Sequence, residues 1–449
     1  METSDQADAG RVETEEPQRL ESHGPEAVVV DRSDHSISRR SIPENVLKVL
    51  YRLHRSGYRA YLCGGSVRDL LMERQPKDFD VATDAHPNEV RRLFRNSRII
   101  GRRFRLVHII FQDQIVEVAT FRREPERGQD QESEDLLITD DNTFGSPLQD
   151  ARRRDFTINA LFYNIADFSV IDYVGGLDDM AAAKVRVIGD PDVRFREDPV
   201  RMMRAIEFAS RLNFEIERAT YDALIRHRGD ILKASPPRVS EEMLELLRRG
   251  WSRGAIHLMV EAGLLEPLLP EIHHAISGNR APYFWKMLEV LDRTVQAGRK
   301  ISDAVLLSVL MLPWIIEELE KEEARRNAMR IDEPESVPRM RINEVILFIR
   351  DLIQPICARM SLAAGTRHQI ETTLESLWRL LEPPTDRRAQ FKVVHREPFN
   401  DALALLELFA LSSGKYVDVF RQWQQFATKV KRGAEEAGPP VKKRRRRRR

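Results

Sequence analysis

The 449-residue sequence holds only two cysteines, Cys63 and Cys357, and neither belongs to a cysteine or histidine pairing pattern. Their scarcity excludes a disulfide framework and a structural zinc site. Long apolar runs are missing too. No stretch approaches the roughly 18 consecutive apolar residues of a membrane span. The N-terminus is acidic and polar, where a secretory leader would be basic and then apolar. The expectation is a cytoplasmic protein with no membrane association. Net charge is nearly absent, at +1, but that sum hides an asymmetry. Acidic residues crowd the beginning (Glu13, Glu15, Glu16, Glu21, Glu26), and the chain ends in Lys442, Lys443 and unbroken arginine through Arg449. A terminal basic run repels itself and has nothing apolar to bury, so it reads as a solvated tail suited to forked phosphate contacts.

What is present divides the chain. Residues 1–40 lack apolar periodicity and are expected to be disordered. From Pro43 to Ser56, apolar residues recur at helical spacing (Val46, Leu47, Val49, Leu50, Leu53). Short β-like runs then alternate with helices: Tyr58–Cys63, Asp78–Ala82, Ile99–Gly101, Leu106–Phe111, Ile115–Thr120 and Val170–Val174. These predict an α/β head on a mixed sheet over residues 41–180, interrupted by a polar, acidic loop from Arg123 to Phe144. After a strand at Val185–Ile188 the pattern turns helical, apart from a weak strand signal at Phe391–Val394. A neck over 181–270, a body over 271–430 and a disordered tail over 431–449 complete the division. The fold class is α+β, with a mixed-sheet head followed by all-helical regions. Glu317–Glu335 reads as an exposed helix end or linker.

Candidate chemistry begins at Gly64, Gly65, Ser66, Val67, Arg68 and Asp69, a strand-to-helix turn. Glycines there let backbone N–H groups approach an anion, the helix start adds positive potential, and Arg68 can clamp a terminal phosphate. Within a dozen residues come Asp78, Phe79 and Asp80. On a strand, residues two apart share a face, so the two carboxylates sit together and suit a hard divalent cation such as Mg²⁺. Two such ions could drive in-line displacement at a triphosphate. A third carboxylate comes from Asp155, which we rank first, or from Glu117, which alternates outward between Val116 and Val118. Arg152, Arg153 and Arg154 precede an apolar run and suit phosphate or ribose. Further on, Asp198 reads as an N-cap with Pro199 at the first helical position. Asp198, Arg201 and Arg204 would then share one helix face, offering acceptors and donors for a base edge.

GGSVRD, DFD, RRRDFTINAL, DYVGGLDDM and REDPVRMMRA, in this order, closely resemble the class II branch of the nucleotidyltransferase superfamily, comprising bacterial poly(A) polymerases and tRNA CCA-adding enzymes. The match spans roughly Tyr58 to Gly250. The resemblance implies that Asp78 and Asp80 bind the catalytic metal and that Asp155 is a further catalytic acid. It also implies that Gly64, Gly65, Ser66 and Arg68 meet the triphosphate, that Arg154 and Asp155 touch the ribose, and that Asp198 and Arg201, with Arg204, read the base. Arg238–Glu242 would brace that helix. The segment Gly101–His108 (GRRFRLVH) and the arginine-rich end resemble the poly(A) polymerase side of the branch. The implied function is template-independent transfer of AMP from ATP to RNA 3′ ends with Mg²⁺, promoting RNA decay. The implied partners are ATP and the RNA 3′ end, with RNA-decay proteins as candidates, and the implied state is a monomer. A CCA-adding activity on tRNA and a catalytically silent RNA-binding protein of the same fold are the alternatives.

Overall fold

The computed structural model describes residues 27–101, 105–123, 143–278, 281–332 and 340–436. The head is built on eight strands: β1 (Val28–Val30), β2 (Ala60–Cys63), β3 (Asp80–Thr83), β4 (Ser97–Ile100), β5 (Leu106–Ile110), β6 (Ile115–Thr120), β7 (Phe162–Asn164) and β8 (Val170–Asp172). Their order in the sheet is β1-β8-β7-β2-β3-β6-β5-β4. All neighbours pair antiparallel except β3 and β6, which run parallel, so the sheet is mixed as expected.

Alternation along the strands separates two unequal faces. One carries Leu62, Val81, Val107, Val116 and Val118 against α1 (Glu44–Arg55), α2 (Gly65–Leu71) and α3 (Pro87–Leu93), forming a large apolar core. The other carries Tyr61, Cys63 and Ala82 with Phe121 and Phe162, covered by little more than Ala151 of α4 (Pro147–Arg153) and Ile188. Thin cover on this second face leaves room for a cleft.

α5 (Gly176–Ala181), α6 (Pro191–Glu197) and α7 (Val200–Leu212) lead out of the head, followed by α8 (Arg218–His227) and α9 (Pro236–Arg248). Among the described residues ten further helices run from Ser252 to Glu436. A contiguous apolar core extends from Phe156 through Met203, Leu247 and Leu310 to Ala427, and so passes through both helical regions that the sequence divides at residue 270. Among the described residues no helix is long and apolar enough to cross a membrane.

Several sequence expectations are corrected. Order begins before residue 41, because the Val28–Val30 run pairs with β8 as an edge strand, a partner about 140 residues away in the chain. Residues 1–26 lie outside the described set. The apolar run after Arg154, which the sequence left without an assigned element, leads into β7: a strand buried on both faces shows no alternation to betray it. The weak strand at Phe391–Val394 is helix, within Arg387–Val394. The strand expected at Val185–Ile188 is the two-residue β9 (Lys184–Val185), and it pairs in parallel with β10 (Glu215–Ile216), which lies inside the region read as helical. The last helix, Val417–Glu436, runs past residue 430, and the remainder of the arginine-rich end lies outside the described residues. The charged stretch after Glu317 is the second half of a 30-residue helix, Asp303–Asp332.

Candidate active site

The glycine turn sits where β2 enters α2. Gly64 adopts φ 73°, ψ −142°, a backbone region closed to other residues. A Cβ there would lie 3.2 Å from Arg154 Nη1 and 4.0 Å from Asp80 Oδ2, so the missing side chain keeps these two groups close to the turn. Cys63 and Asp80 are register partners on β2 and β3. Asp80 in turn faces Glu117 across the parallel pair β3–β6.

Asp78 precedes β3 and its carboxylate is exposed, while Phe79 between the two aspartates is buried. The strand begins only at Asp80, so Asp78 lies on the approach to β3 and not on the strand face expected for both aspartates. Burial first, then the Glu117 and Asp78 carboxylates, push Asp80 up to about 6, with Arg154 opposing them. Asp80, Glu117 and Arg154, but not Asp78, border a cavity of about 270 Å³ whose lining also includes Arg122, Asp150 and Arg153. Cys63 also lines it, but burial pushes its thiol up to about 11, so it is no nucleophile.

Glu117, the second-ranked third acid, is the one beside Asp80. Asp155 points elsewhere: it accepts Arg204 Nε (2.8 Å) and Nη2 (2.7 Å), Asn159 Nδ2 (3.3 Å) and its neighbour Phe156 N (2.8 Å). Burial alone would raise Asp155, but the Arg204 charge and these donors hold it below the ordinary carboxylate value. Residue spacing could not separate the two acids, because the choice depends on which strand lies next to β3. His108 was missed as a site neighbour. It faces Glu117 across β5–β6 with Nε2 3.1 Å from Oε1, and it ends the GRRFRLVH segment, of which Arg102, Arg103 and Phe104 lie outside the described residues.

Two residues expected at the phosphates are turned inward. Ser66 Oγ donates to Cys63 O at 2.9 Å, tying α2 to the end of β2. Arg68 is 1% exposed: its guanidinium donates to Asp69 Oδ1 through Nε (2.8 Å) and Nη2 (2.6 Å) and to Asn159 Oδ1 through Nη1. Gly65 is small because a Cβ there would crowd Arg68 Nη2 at 3.2 Å. Arg68 thus anchors the turn from within, a role that sequence cannot distinguish from phosphate contact. Phe208 of α7 lies under three guanidinium groups, those of Arg68, Arg204 and Arg211, each 5.3 Å from its ring centroid, and so joins the turn to the neck.

Arg154 does face the cleft. Asp150, a buried acid that the sequence did not single out, accepts its Nε (3.1 Å) and Nη2 (2.9 Å). Arg154 Nη1 donates to Asn159 O (3.2 Å), and its guanidinium lies over Phe162. The 3₁₀ turn Thr157–Asn159 therefore holds both arginines. It is fixed by Gly176 of α5, where a Cβ would come within 2.3 Å of Thr157 O, and by Thr157 Oγ1 donating to Asp179 (2.7 Å). The acidic segment between Arg123 and Phe144 is closed at its base by an Arg122–Phe144 bridge, and residues 124–142 lie outside the described set.

In the neck, Asp198 does not cap α7. Its two oxygens accept Arg238 Nη1 and Nη2, each at 2.8 Å, and Pro199 occupies the cap position. The fork draws the carboxylate away from the helix end and across to α9. Arg201 is buried and donates to Arg194 O (2.9 Å) and Glu197 (3.4 Å). Arg204 turns to Asp155 and, more distantly, to Glu242 (3.5 Å). Asp198, Arg201 and Arg204 therefore share a helix start but not a single network, and Arg238 and Glu242 are the α9 residues that reach it.

Comparison with known proteins follows the same division. The family model described as the poly A polymerase head domain matches residues 60–186, and one described as a probable RNA and SrmB-binding site of polymerase A matches residues 213–276. Poly(A) polymerase I of Salmonella typhimurium is 38% identical over 397 residues, covering 86% of this chain and 82% of the relative. The CCA-adding enzyme of Bacillus velezensis is 40% identical over 223 residues, covering 49% of this chain and 54% of that one. A crystal structure of the Bacillus stearothermophilus CCA-adding enzyme in complex with CTP shares the fold, with a TM-score of 0.63 at 22% identity over 90% of each chain. CCA-adding relatives thus align by sequence along about half of the chain, whereas poly(A) polymerases align along most of it, and the chain belongs to the bacterial poly(A) polymerase family of nucleotidyltransferases.

Proposed function

We propose that this protein adds AMP from ATP to the 3′-hydroxyl of RNA without a template. The observation that carries the reading is the placement of Asp80 beside Glu117, two residues from Asp78, against the Gly64 turn and Arg154. In this reaction the 3′-oxygen bonds to the α-phosphorus, the bond from that phosphorus to the α–β bridging oxygen breaks, and pyrophosphate leaves.

The carboxylates fit Mg²⁺ by their chemistry: they are hard oxygen donors, and burial together with the neighbouring Glu117 and Asp78 charges raises Asp80 to about 6. Among the described residues no three metal-binding side chains converge on one point, which suits an ion that keeps waters and takes substrate phosphates as ligands. Asp78 and Asp80 would hold it, and when bound it neutralises their repulsion and polarises the attacking hydroxyl and departing pyrophosphate. The chain's own groups do the rest. The Gly64–Gly65 backbone lets the triphosphate come close, and Arg154, fixed by Asp150 and Asn159, offers positive charge without having to be ordered first. Asp198, held in a fork by Arg238, presents its remaining lone pairs to the adenine amino group beside Arg201. Glu117 supplements the two aspartates, and Asp155 acts by positioning Arg204.

The test is extension of a single-stranded RNA and of a tRNA lacking its 3′ end, each with ATP or CTP and Mg²⁺, beside an Asp78→Ala control. Long ATP-dependent tails on generic RNA, lost in the control, are expected. Short CTP-requiring addition confined to tRNA would overturn the reading.

A further inference from the structure

Most arginines of the helical body are paired with acids: Arg326 with Glu322 (2.9 Å), Arg359 with Glu271 (2.6 Å) and Arg379 with Glu375 (3.0 Å). The helix Arg387–Val394 departs from this pattern. It buries none of its residues. Arg387, Arg388 and Lys392, with Arg396 just beyond its end, are exposed and have no ion-pair partner among the described residues. Two of these cations sit in the first turn, at the positive end of the helix dipole, and Arg388 and Lys392 are a like-charge pair at i, i+4. Both arrangements oppose folding of this helix. Asp386 caps the helix by accepting Ala389 N at 3.1 Å and so is engaged locally.

Phe391 lies on the same surface and is 50% exposed. The His395 ring lies 4.1 Å from it, tilted by 36°, and the contact of His395 Nδ1 with Phe391 O (2.8 Å) fixes that ring in place. An aromatic pair ordered in solvent beside uncompensated cations contributes little to the core. Its composition matches what single-stranded nucleic acid requires, a π-surface for a base and cations for the adjoining phosphates.

We propose that the Arg387–Arg396 surface is a docking site for single-stranded RNA upstream of the 3′ end being extended, with Phe391 and His395 stacking a base and Arg388, Lys392 and Arg396 contacting phosphates. The proposal rests on the RNA-polyadenylation reading for its occupant. The charges that burden the isolated helix are neutralised when the strand is bound.

The test uses the full chain and a 5′-labelled, 30-nucleotide single-stranded RNA, with affinity measured by fluorescence anisotropy across a salt series in EDTA. The triple variant Arg388→Ala/Lys392→Ala/Arg396→Ala is expected to bind more weakly, with the slope of log affinity against log salt shallower by about 2, from three phosphate contacts on a single strand. Phe391→Ala is expected to weaken binding about fivefold or more with the slope unchanged. The charge-retaining Arg388→Lys/Arg396→Lys variant should keep the slope of the parent, and matched melting curves show that each variant folds. An unchanged slope in the folded triple variant overturns the proposal. Loss of binding to anionic phospholipid vesicles or to a poly-glutamate peptide, with RNA affinity intact, also overturns it in favour of another occupant. If the parent binds RNA through this surface yet fails to extend it with ATP, the docking site stands and the polyadenylation reading falls.

Discussion

Gly176→Ala tests how the head holds its site. Gly176 opens α5 against the Thr157–Asn159 turn, and an added Cβ would meet Thr157 O at 2.3 Å, Thr157 C at 2.9 Å and Leu161 Cδ2 at 3.1 Å. Two of these atoms are backbone, so no side-chain rotation relieves the clash, and the helix and turn must separate by about 1 Å in a close-packed region. Overpacking of this kind costs about 1–3 kcal/mol, and a rigid backbone contact belongs at the upper end. A loss of about 3 kcal/mol lowers the melting temperature of a domain the size of the head by roughly 10 °C. The neighbouring Gly175→Ala is the control. Gly175 has φ 81° but nothing within 4 Å of its Cβ position, so only left-handed backbone strain of about 1 kcal/mol applies. Scanning calorimetry or urea titration of both variants reads the difference. Because the same turn carries Asn159, which accepts from Arg68 and Arg154, extension by Gly176→Ala should also slow at a temperature where it remains folded. Equal destabilisation by the two substitutions, or a larger loss for Gly175→Ala, would refute the reasoning.

Asp80→Asn is expected to abolish extension while stabilising the metal-free protein at pH 7 by about 1–2 kcal/mol, read by urea titration in EDTA. A carboxylate raised to about 6 destabilises the fold increasingly as pH rises from about 4 to 6 and fully above that, and the amide removes this burden. Asp155 behaves oppositely. Its depressed value means that its contribution is present above about pH 4, the unfolded value, and is lost as pH falls through the folded one, so Asp155→Asn should flatten the acid limb of a stability–pH profile. Arg68→Lys keeps the charge but loses the fork to Asp69 and Asn159, and a cost of about 3 kcal/mol in thermal or urea unfolding is expected. If that variant instead raised KM for ATP with stability unchanged, Arg68 would be a phosphate ligand and not an internal anchor.

Local chemistry and short-range spacing were legible in the sequence. Apolar residues at Val46, Val49, Leu50 and Leu53 require a buried helix face, and a double glycine between strand and helix requires a special backbone. The ordered set of motifs identified the family, because five signatures in sequence constrain far more than any one alone. The tertiary structure decided which of two acids approaches Asp80, since strand order places β6 and not the Asp155 turn beside β3. It also decided which charges face the cleft. Arg68 and Arg154 look alike in one dimension, yet Asn159 and Phe208 draw the first inward, while Asp150 holds the second at the opening. Sequence fixes the types of groups and their spacing along an element, but partners from distant segments decide whether a charge is neutralised inside the protein or left to meet a substrate.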